Sequence, residues 1–301
     1  METICLNSAC EEQCINHKPV YVVGNHADAF YFWSKVRCSL GVPPLLLTLD
    51  YHTDTHRGFL GHLFLRYNNG SLISNKKVPE REYDKIISNV DINSLNSIST
   101  ATKKLKNDEQ IDAAIKCGII NHAFVISYSM QHTRSIEEDR YIEDCSIKNR
   151  LKQNGVIPAK PIHPLTYKRP CNGIFIIEKG FPVGSTEKVY TDEYTRTHHD
   201  QAIESEYLCS KLSVIGEMSK AIDIADILNE KYILDIDLDY FRTNKSMNPN
   251  NADVFYMLIH KADVLTIALE PQFVEELRLD NNIDANKLRL KLMDHIMKAL
   301  N

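Results

Sequence analysis

The chain is expected to adopt an α/β fold, with a mostly parallel central sheet covered by helices on both faces. Two patterns in its 301 residues predict this. The first is a set of short runs, apolar throughout and rich in β-branched residues, at Pro19–Val23, Leu45–Leu49, Ala123–Ser127, Ile174–Ile177, Tyr232–Leu238 and Val264–Leu269. Runs of this kind suit strands buried on both faces, where neither side of the sheet reaches water. The second is helical periodicity between them, at about 27–40, 108–116, 201–215, 220–229, 253–261 and 286–300. Asn107, with Gln110 three residues later, has the form of a capping box opening the second helix. Alternation of this kind implies a doubly wound sheet whose ligands gather at the carboxyl ends of the strands.

Between 132 and 199 the rhythm breaks. This stretch holds HTRSIEEDR, the proline-spaced VIPAKPIHPLTYKRP, and NGIFIIEKGFPVGSTEKVY, which has the form of a β-hairpin around Lys179 and Gly180. It reads as an insertion or lid within a single domain spanning 1–301, or equally as a surface elaboration.

The composition, 43% hydrophobic and 25% charged, is that of a soluble globular protein, and a net charge of -5 argues against broad electrostatic attraction to nucleic acid. No basic stretch followed by an apolar one opens the chain, and no run approaches membrane-spanning length, so a cytoplasmic protein without a membrane partner is expected. Eight scattered cysteines suggest reduced thiols rather than a disulfide scaffold. Cys10, Cys14 and His17 form a C-x3-C-x2-H cluster, but no second half with ligand spacing follows, so a structural segment is the preferred reading.

Four strand ends carry the chemistry. In LDYHTDTH, the residues Asp50, His52 and Asp54 alternate with Tyr51 and Thr53, so an extended backbone turns all three to one side. In YILDIDLDYF, Asp235, Asp237 and Asp239 repeat the pattern. Carboxylates clustered at the end of a buried strand repel one another and lose hydration, and a bound cation relieves both penalties. The third element is VVGNHADAF, with Gly24, Asn25 and His26 closing a strand, and the fourth is IALEPQF, where Glu270 precedes Pro271.

Taken in order, these elements resemble the arginase and ureohydrolase superfamily. GNHAD stands where that superfamily has Gly-Gly-Asp-His, DYHTD matches its Asp-x-His-x-Asp, DIDLD matches its Ser-x-Asp-x-Asp, and LEP stands where its substrate-binding glutamate precedes a proline. Within it, LDYHTDTH, NDEQIDAAIKCGIINHAFVIS and LDIDLDYF are most similar to the branch containing the peptide arginases, which convert arginine side chains of ribosomally made peptides to ornithine.

The resemblance implies a three-layer α/β/α fold and two Mn2+ ions. His26, Asp50, Asp54 and Asp237 would hold one ion, and His52, Asp50, Asp237 and Asp239 the other, with Asp50 and Asp237 bridging. Ligation by oxygen and imidazole without thiolate agrees with manganese. A metal-bridging hydroxide would attack the guanidinium carbon, Glu270 would orient the guanidinium, and urea would leave. The partner implied is a precursor peptide.

Several positions depart from the superfamily pattern. Asp235 replaces its serine and is expected either to bind substrate or to shift the ligand assignment by one step. Tyr240-Phe241-Arg242 replaces the continuation toward Asp-Pro. His56, His62 and His122 are the candidates for the proton shuttle. His198-His199-Asp200 reads as a helix N-terminus rather than a second metal cluster. Loop residues that would grip a free α-amino acid are not evident, which favours arginine in amide linkage. The alternatives are a hydrolase for a free guanidino compound or amide, and a noncatalytic metal-containing binding protein. The sequence leaves the oligomeric state open, a homo-oligomer included.

Overall fold

The computed structural model describes residues 6–70, 77–128, 164–177 and 192–301, with isolated positions between 138 and 155. Seven strands form one sheet: β1 (Cys10–Ile15), β2 (Lys18–Val23), β3 (Leu45–Asp50), β4 (Ala123–Ser127), β5 (Ile174–Ile177), β6 (Tyr232–Asp237) and β7 (Val264–Ala268). Their order is β1-β2-β7-β6-β3-β4-β5. All neighbours are parallel except β1, which folds back antiparallel on β2 as an edge strand.

The sheet buries both faces, and the period of two sorts its side chains between them. Leu45, Leu47 and Leu49 of β3 join Tyr232, Leu234 and Ile236 of β6 in one core, against the helices Ser205–Ser219, Asp253–Lys261 and Ala285–Leu300. Leu46 and Ile233 face the other core, which holds Phe30, Trp33 and Val36 of the helix Ala29–Leu40. The result is the expected α/β/α sandwich. On this second face, parity also places Thr48 and Asp50 of β3, Asp235 and Asp237 of β6, and Thr266 of β7.

The chain order decides where these polar groups end up. From β2 the chain crosses to β3 in mid-sheet, runs outward to β5, then returns to lay β6 and β7 between β3 and β2. The carboxyl ends of β2, β7, β6 and β3 therefore lie side by side, the crevice where open α/β sheets bind ligands.

The six apolar runs all became strands. β1 was not anticipated, because its exposed CEEQCI carries no apolar run. Cys10 and Cys14 lie within it and His17 in the turn that follows, so the N-terminal cluster serves the edge hairpin. The segment 220–229 is not a helix but two short 3-10 turns, Lys220–Ile222 and Ile227–Asn229. Within the stretch read as an insertion, β5 is an integral strand pairing with β4, and Asp192–Asp200 is a helix; the hairpin around Lys179 and Gly180 lies outside the described residues. No helix among the described residues is long and apolar enough to cross a membrane.

Candidate metal centre

His26, Asp50, His52, Asp54, Asp237, Asp239 and Glu270 come together at the carboxyl edge of β2, β3, β6 and β7. His26 stands in a 3-10 turn, His26–Asp28, capped by Asn25, whose side chain accepts from the Ala27 N–H. Asp28 pins this turn to the N-terminal segment: its carboxylate accepts from the backbone N–H groups of Asn7 (3.0 Å) and Ser8 (2.9 Å) and from the Ser8 hydroxyl (2.5 Å).

Two groups of donor atoms converge. His26, Asp50 and Asp237 form one, Asp50, His52 and Asp239 the other, each with its atoms within 4.8 Å of one another, and Asp50 belongs to both. Asp54 adjoins the first group, with its Oδ2 2.9 Å from His26 Nδ1. In the second group, His52 Nδ1 lies 3.0 Å from Asp239 Oδ2.

The hydrogen bonds left unmade are informative. His26 Nδ1, Asp50 Oδ2 and Asp239 Oδ2 are buried with no hydrogen bond made, although His26 Nδ1 has Asp54 at 2.9 Å and Asp237 at 3.2 Å, and Asp239 Oδ2 has His52 Nδ1 at 3.0 Å. An orphaned buried polar atom costs about 1–3 kcal/mol, so three such atoms within the two donor groups are costly unless a shared partner takes them. A cation satisfies all of them, and oxygen and imidazole donors without sulfur fit a hard or borderline divalent ion.

Electrostatics point the same way. Burial lifts the Asp50 carboxyl well above the usual carboxylate range, and repulsion from Asp54, Asp239 and Asp237 adds to it. Asp237 is raised by burial and by Asp239, and Glu270 chiefly by burial. Burial opposes a charge on His26, but Asp235 and the neighbouring acids outweigh it and hold the imidazole well above its ordinary value. The pocket accumulates negative charge that solvent cannot screen, and positive charge is what it selects.

Around this core runs a layer of positioning contacts. Asp235 is fully buried: its Oδ2 lies 2.8 Å from His26 Nε2 and accepts from Thr48 Oγ1 at 2.9 Å, while Oδ1 accepts from Thr266 Oγ1. Three of its roughly four acceptor sites are thus taken and none of it is exposed, which places Asp235 behind His26 rather than at the open substrate position expected of it. It fixes the ring of His26 with a proton on Nε2, leaving Nδ1 toward the acids, as carboxylates behind metal-binding histidines do. Asp235→Asn is expected to weaken divalent-cation binding by roughly 10–100-fold with little loss of fold, read by calorimetric titration with Mn2+. An unchanged affinity would show that His26 needs no such anchor.

The NDEQ segment, residues 107–110, turns every side chain to this layer. Asn107 Nδ2 donates to Glu270 Oε2 (3.1 Å), Asp108 Oδ2 lies 2.7 Å from His56 Nδ1, Glu109 Oε1 accepts from Gly61 N–H (2.6 Å), and Gln110 Nε2 donates to Asp54 Oδ2 (2.6 Å). The helix begins at Gln110 and Asn107 is spent on Glu270, so the capping box is not formed. Gly58 permits the close approach: a Cβ there would stand 2.7 Å from Ala113 of that helix.

Glu270 adopts φ 30°, and its Oε1 accepts from the His26 backbone N–H (3.1 Å). Asp54 also has a left-handed backbone, φ 47°. Strain of this kind in non-glycine residues persists where surrounding contacts over-determine it.

The shuttle candidates separate. His122 precedes β4, at the amino edge of the sheet and opposite the cluster, where its ring packs 6.5 Å from Phe175. His62 lines a different cleft, formed by helices. Both expectations are corrected by position, since neither edge nor cleft meets the acids. His56, 66% exposed and paired with Asp108, is the one carried by the site's own loop.

Sequence reasoning missed the aromatic wall beside His52. The rings of Tyr51 and Phe273 meet His52 edge-on at 5.0 and 5.7 Å, and the Arg242 guanidinium lies 4.8 Å over the Tyr51 ring while its Nη1 is 2.9 Å from His199 Nε2. The departure Tyr240-Phe241-Arg242 thus places a cation beside the centre. His198-His199-Asp200 ends its helix rather than beginning it, contrary to expectation. No family model matches the chain, and no curated protein matches it.

Proposed function

We propose that the chain is a dinuclear metallohydrolase of arginase type that converts arginine side chains of a precursor peptide to ornithine. The observation that carries this reading is the pair of donor groups sharing Asp50, with orphaned ligand atoms in both and Glu270 beside them. A pair of manganese ions held there would supply the Lewis acidity that brings a shared water to an ionisable state near neutral pH.

The remaining chemistry belongs to the chain's own residues. The His26 N–H and the Asn107 amide each take one acceptor site of the Glu270 carboxylate. A carboxylate offers about four lone-pair sites, so two stay available for the paired N–H groups of a guanidinium. That cation is always protonated, and a buried carboxylate fixes both its charge and its plane. Asp235 keeps the proton on His26 Nε2. His56, held by Asp108 and open to solvent, would return a proton to the departing amine. The orientation of Glu270 toward the acids supports an enzyme over a noncatalytic binding protein. Placing the arginine in a peptide rests on the likeness of LDYHTDTH, NDEQIDAAIKCGIINHAFVIS and LDIDLDYF to the peptide-arginase branch.

The test is to incubate the manganese-loaded protein with arginine-containing precursor peptides and with free arginine, and to follow conversion to ornithine by mass spectrometry. Conversion within a peptide is expected. Conversion of free arginine alone would overturn the peptide assignment, and no conversion of either would overturn the enzyme.

A further inference from the structure

Apart from the acidic cluster, three short helices, Leu60–Tyr67, Glu80–Ser88 and Leu95–Thr102, enclose a cleft of about 350 Å3. That volume is at the lower end of what small-molecule sites occupy. Its polar lining is mostly basic: His62 and Arg66 from the first helix, Lys85 from the second, and Lys104 just past the third. No carboxylate among the described residues pairs with Arg66, Lys85 or Lys104. The one acid in the cleft, Glu82, has Arg81 at 3.8 Å. Leu63 and Ala101 are buried and Ile86 partly so, giving the cleft an apolar floor.

On a chain whose net charge is -5, three cations around one recess, without a carboxylate partner among the described residues, are a local reversal of sign. Like charges gathered in this way repel unless an anion joins them. His62 registers the same field, since burial and the charges of Lys104 and Arg66 push its imidazole below the ordinary value. The Ser97 hydroxyl accepts from the Asp91 N–H, which leaves its own proton to donate, and Asn96 and Thr100 stand beside it on the wall.

We propose that this cleft binds a phosphate monoester, with the dianionic phosphate held by Arg66, Lys85 and Lys104 and its apolar body on Leu63, Ile86 and Ala101. Three full charges suit a dianion better than a single carboxylate, and hydroxyl and amide donors complete a phosphate's acceptor demand. The floor distinguishes an ester from free phosphate, which has nothing to lay on it.

Calorimetric titration of the full chain with phenyl phosphate and with inorganic phosphate tests this. Single-site, saturable binding is expected, tighter for phenyl phosphate, with the His62 ring resonances shifting over the same range. In Arg66→Gln/Lys104→Gln, two charge-assisted bonds are lost and affinity is expected to fall at least about a hundredfold. Lys85→Gln gives a second, single-site version of the same comparison should the double variant fail to fold. Repeating the titration with Mn2+ present, an Asp50→Asn variant is expected to bind the ester as the parent does; loss of binding there would put the anion on a cation held at the acidic cluster and overturn the assignment. Absence of saturable binding, equal affinity for the two phosphates, or an affinity indifferent to Arg66, Lys85 and Lys104 would each overturn it as well. None of these outcomes depends on whether the acidic cluster hydrolyses arginine.

Discussion

Asp50→Asn is expected to abolish stabilisation of the protein by manganese while leaving the metal-free fold as stable as the parent or more so. Asp50 is the one residue common to both donor groups, so its loss removes a ligand from each at once. A ligand that binds only the folded state stabilises it by about 4 kcal/mol at a thousandfold excess over its Kd, and that increment should vanish. Without metal the sign reverses. Burial and three neighbouring acids hold the folded-state Asp50 carboxyl above its unfolded value. The folded state then binds protons more tightly, and stability falls as pH rises from the ordinary carboxylate range, about 4, through the raised value, and is level above it. Asp237 and Glu270 shift in the same direction and deepen the fall. Removing the Asp50 charge should make that fall shallower. Thermal melts at several pH values, with chelator and with Mn2+, check both halves. A variant that keeps the parent's manganese-induced shift would refute the role of Asp50 as a ligand.

The fold was legible because its strands are buried on both faces and therefore apolar throughout, whereas β1 is an exposed edge strand whose stability comes from pairing with β2. Helices such as Leu60–Tyr67 and Glu80–Ser88 escaped notice because each is barely two turns long and buries few residues, which leaves periodicity little room to appear. In the candidate centre, Asp-x-His-x-Asp and Asp-x-Asp-x-Asp announced themselves by placing charge where apolar residues are the rule. Asp235 shows where that reasoning stopped. Alternation gives it the same face as Asp237, yet only the register Thr48↔Asp235↔Thr266 reveals that two threonines and His26 consume it. Thr48 in LLLTL and Thr266 in VLTIAL were a readable signal, the single polar residue in each of two apolar runs. NDEQ was not readable in this way. Its four contacts run to residues between 48 and 163 positions away, and only the folded chain brings them together.

Glu270→Gln is expected to separate metal binding from turnover. Glu270 belongs to neither group of converging donor atoms, so the manganese titration should keep the parent's stoichiometry and nearly its affinity. The amide preserves the shape of the side chain and a carbonyl oxygen for the His26 N–H, but it brings an NH2 group into the neighbourhood of the Asn107 NH2 and has no charge to offer a guanidinium. Truncating one partner of a buried, hydrogen-bonded charge pair costs about 2–5 kcal/mol, which corresponds to a loss of roughly 30- to 4000-fold in conversion of arginine per unit of enzyme and substrate. Asn107→Ala, which removes one neutral-donor contact and leaves the charge in place, should cost far less, within about tenfold. Measured on an arginine-containing precursor peptide, these two variants should form a graded pair that a purely structural role for Glu270 could not produce. Failure of the fold would lower metal affinity and turnover together, whereas loss of guanidinium recognition lowers turnover alone. Parent-like conversion by Glu270→Gln would take Glu270 out of the substrate site and leave the acidic cluster without a group to orient arginine.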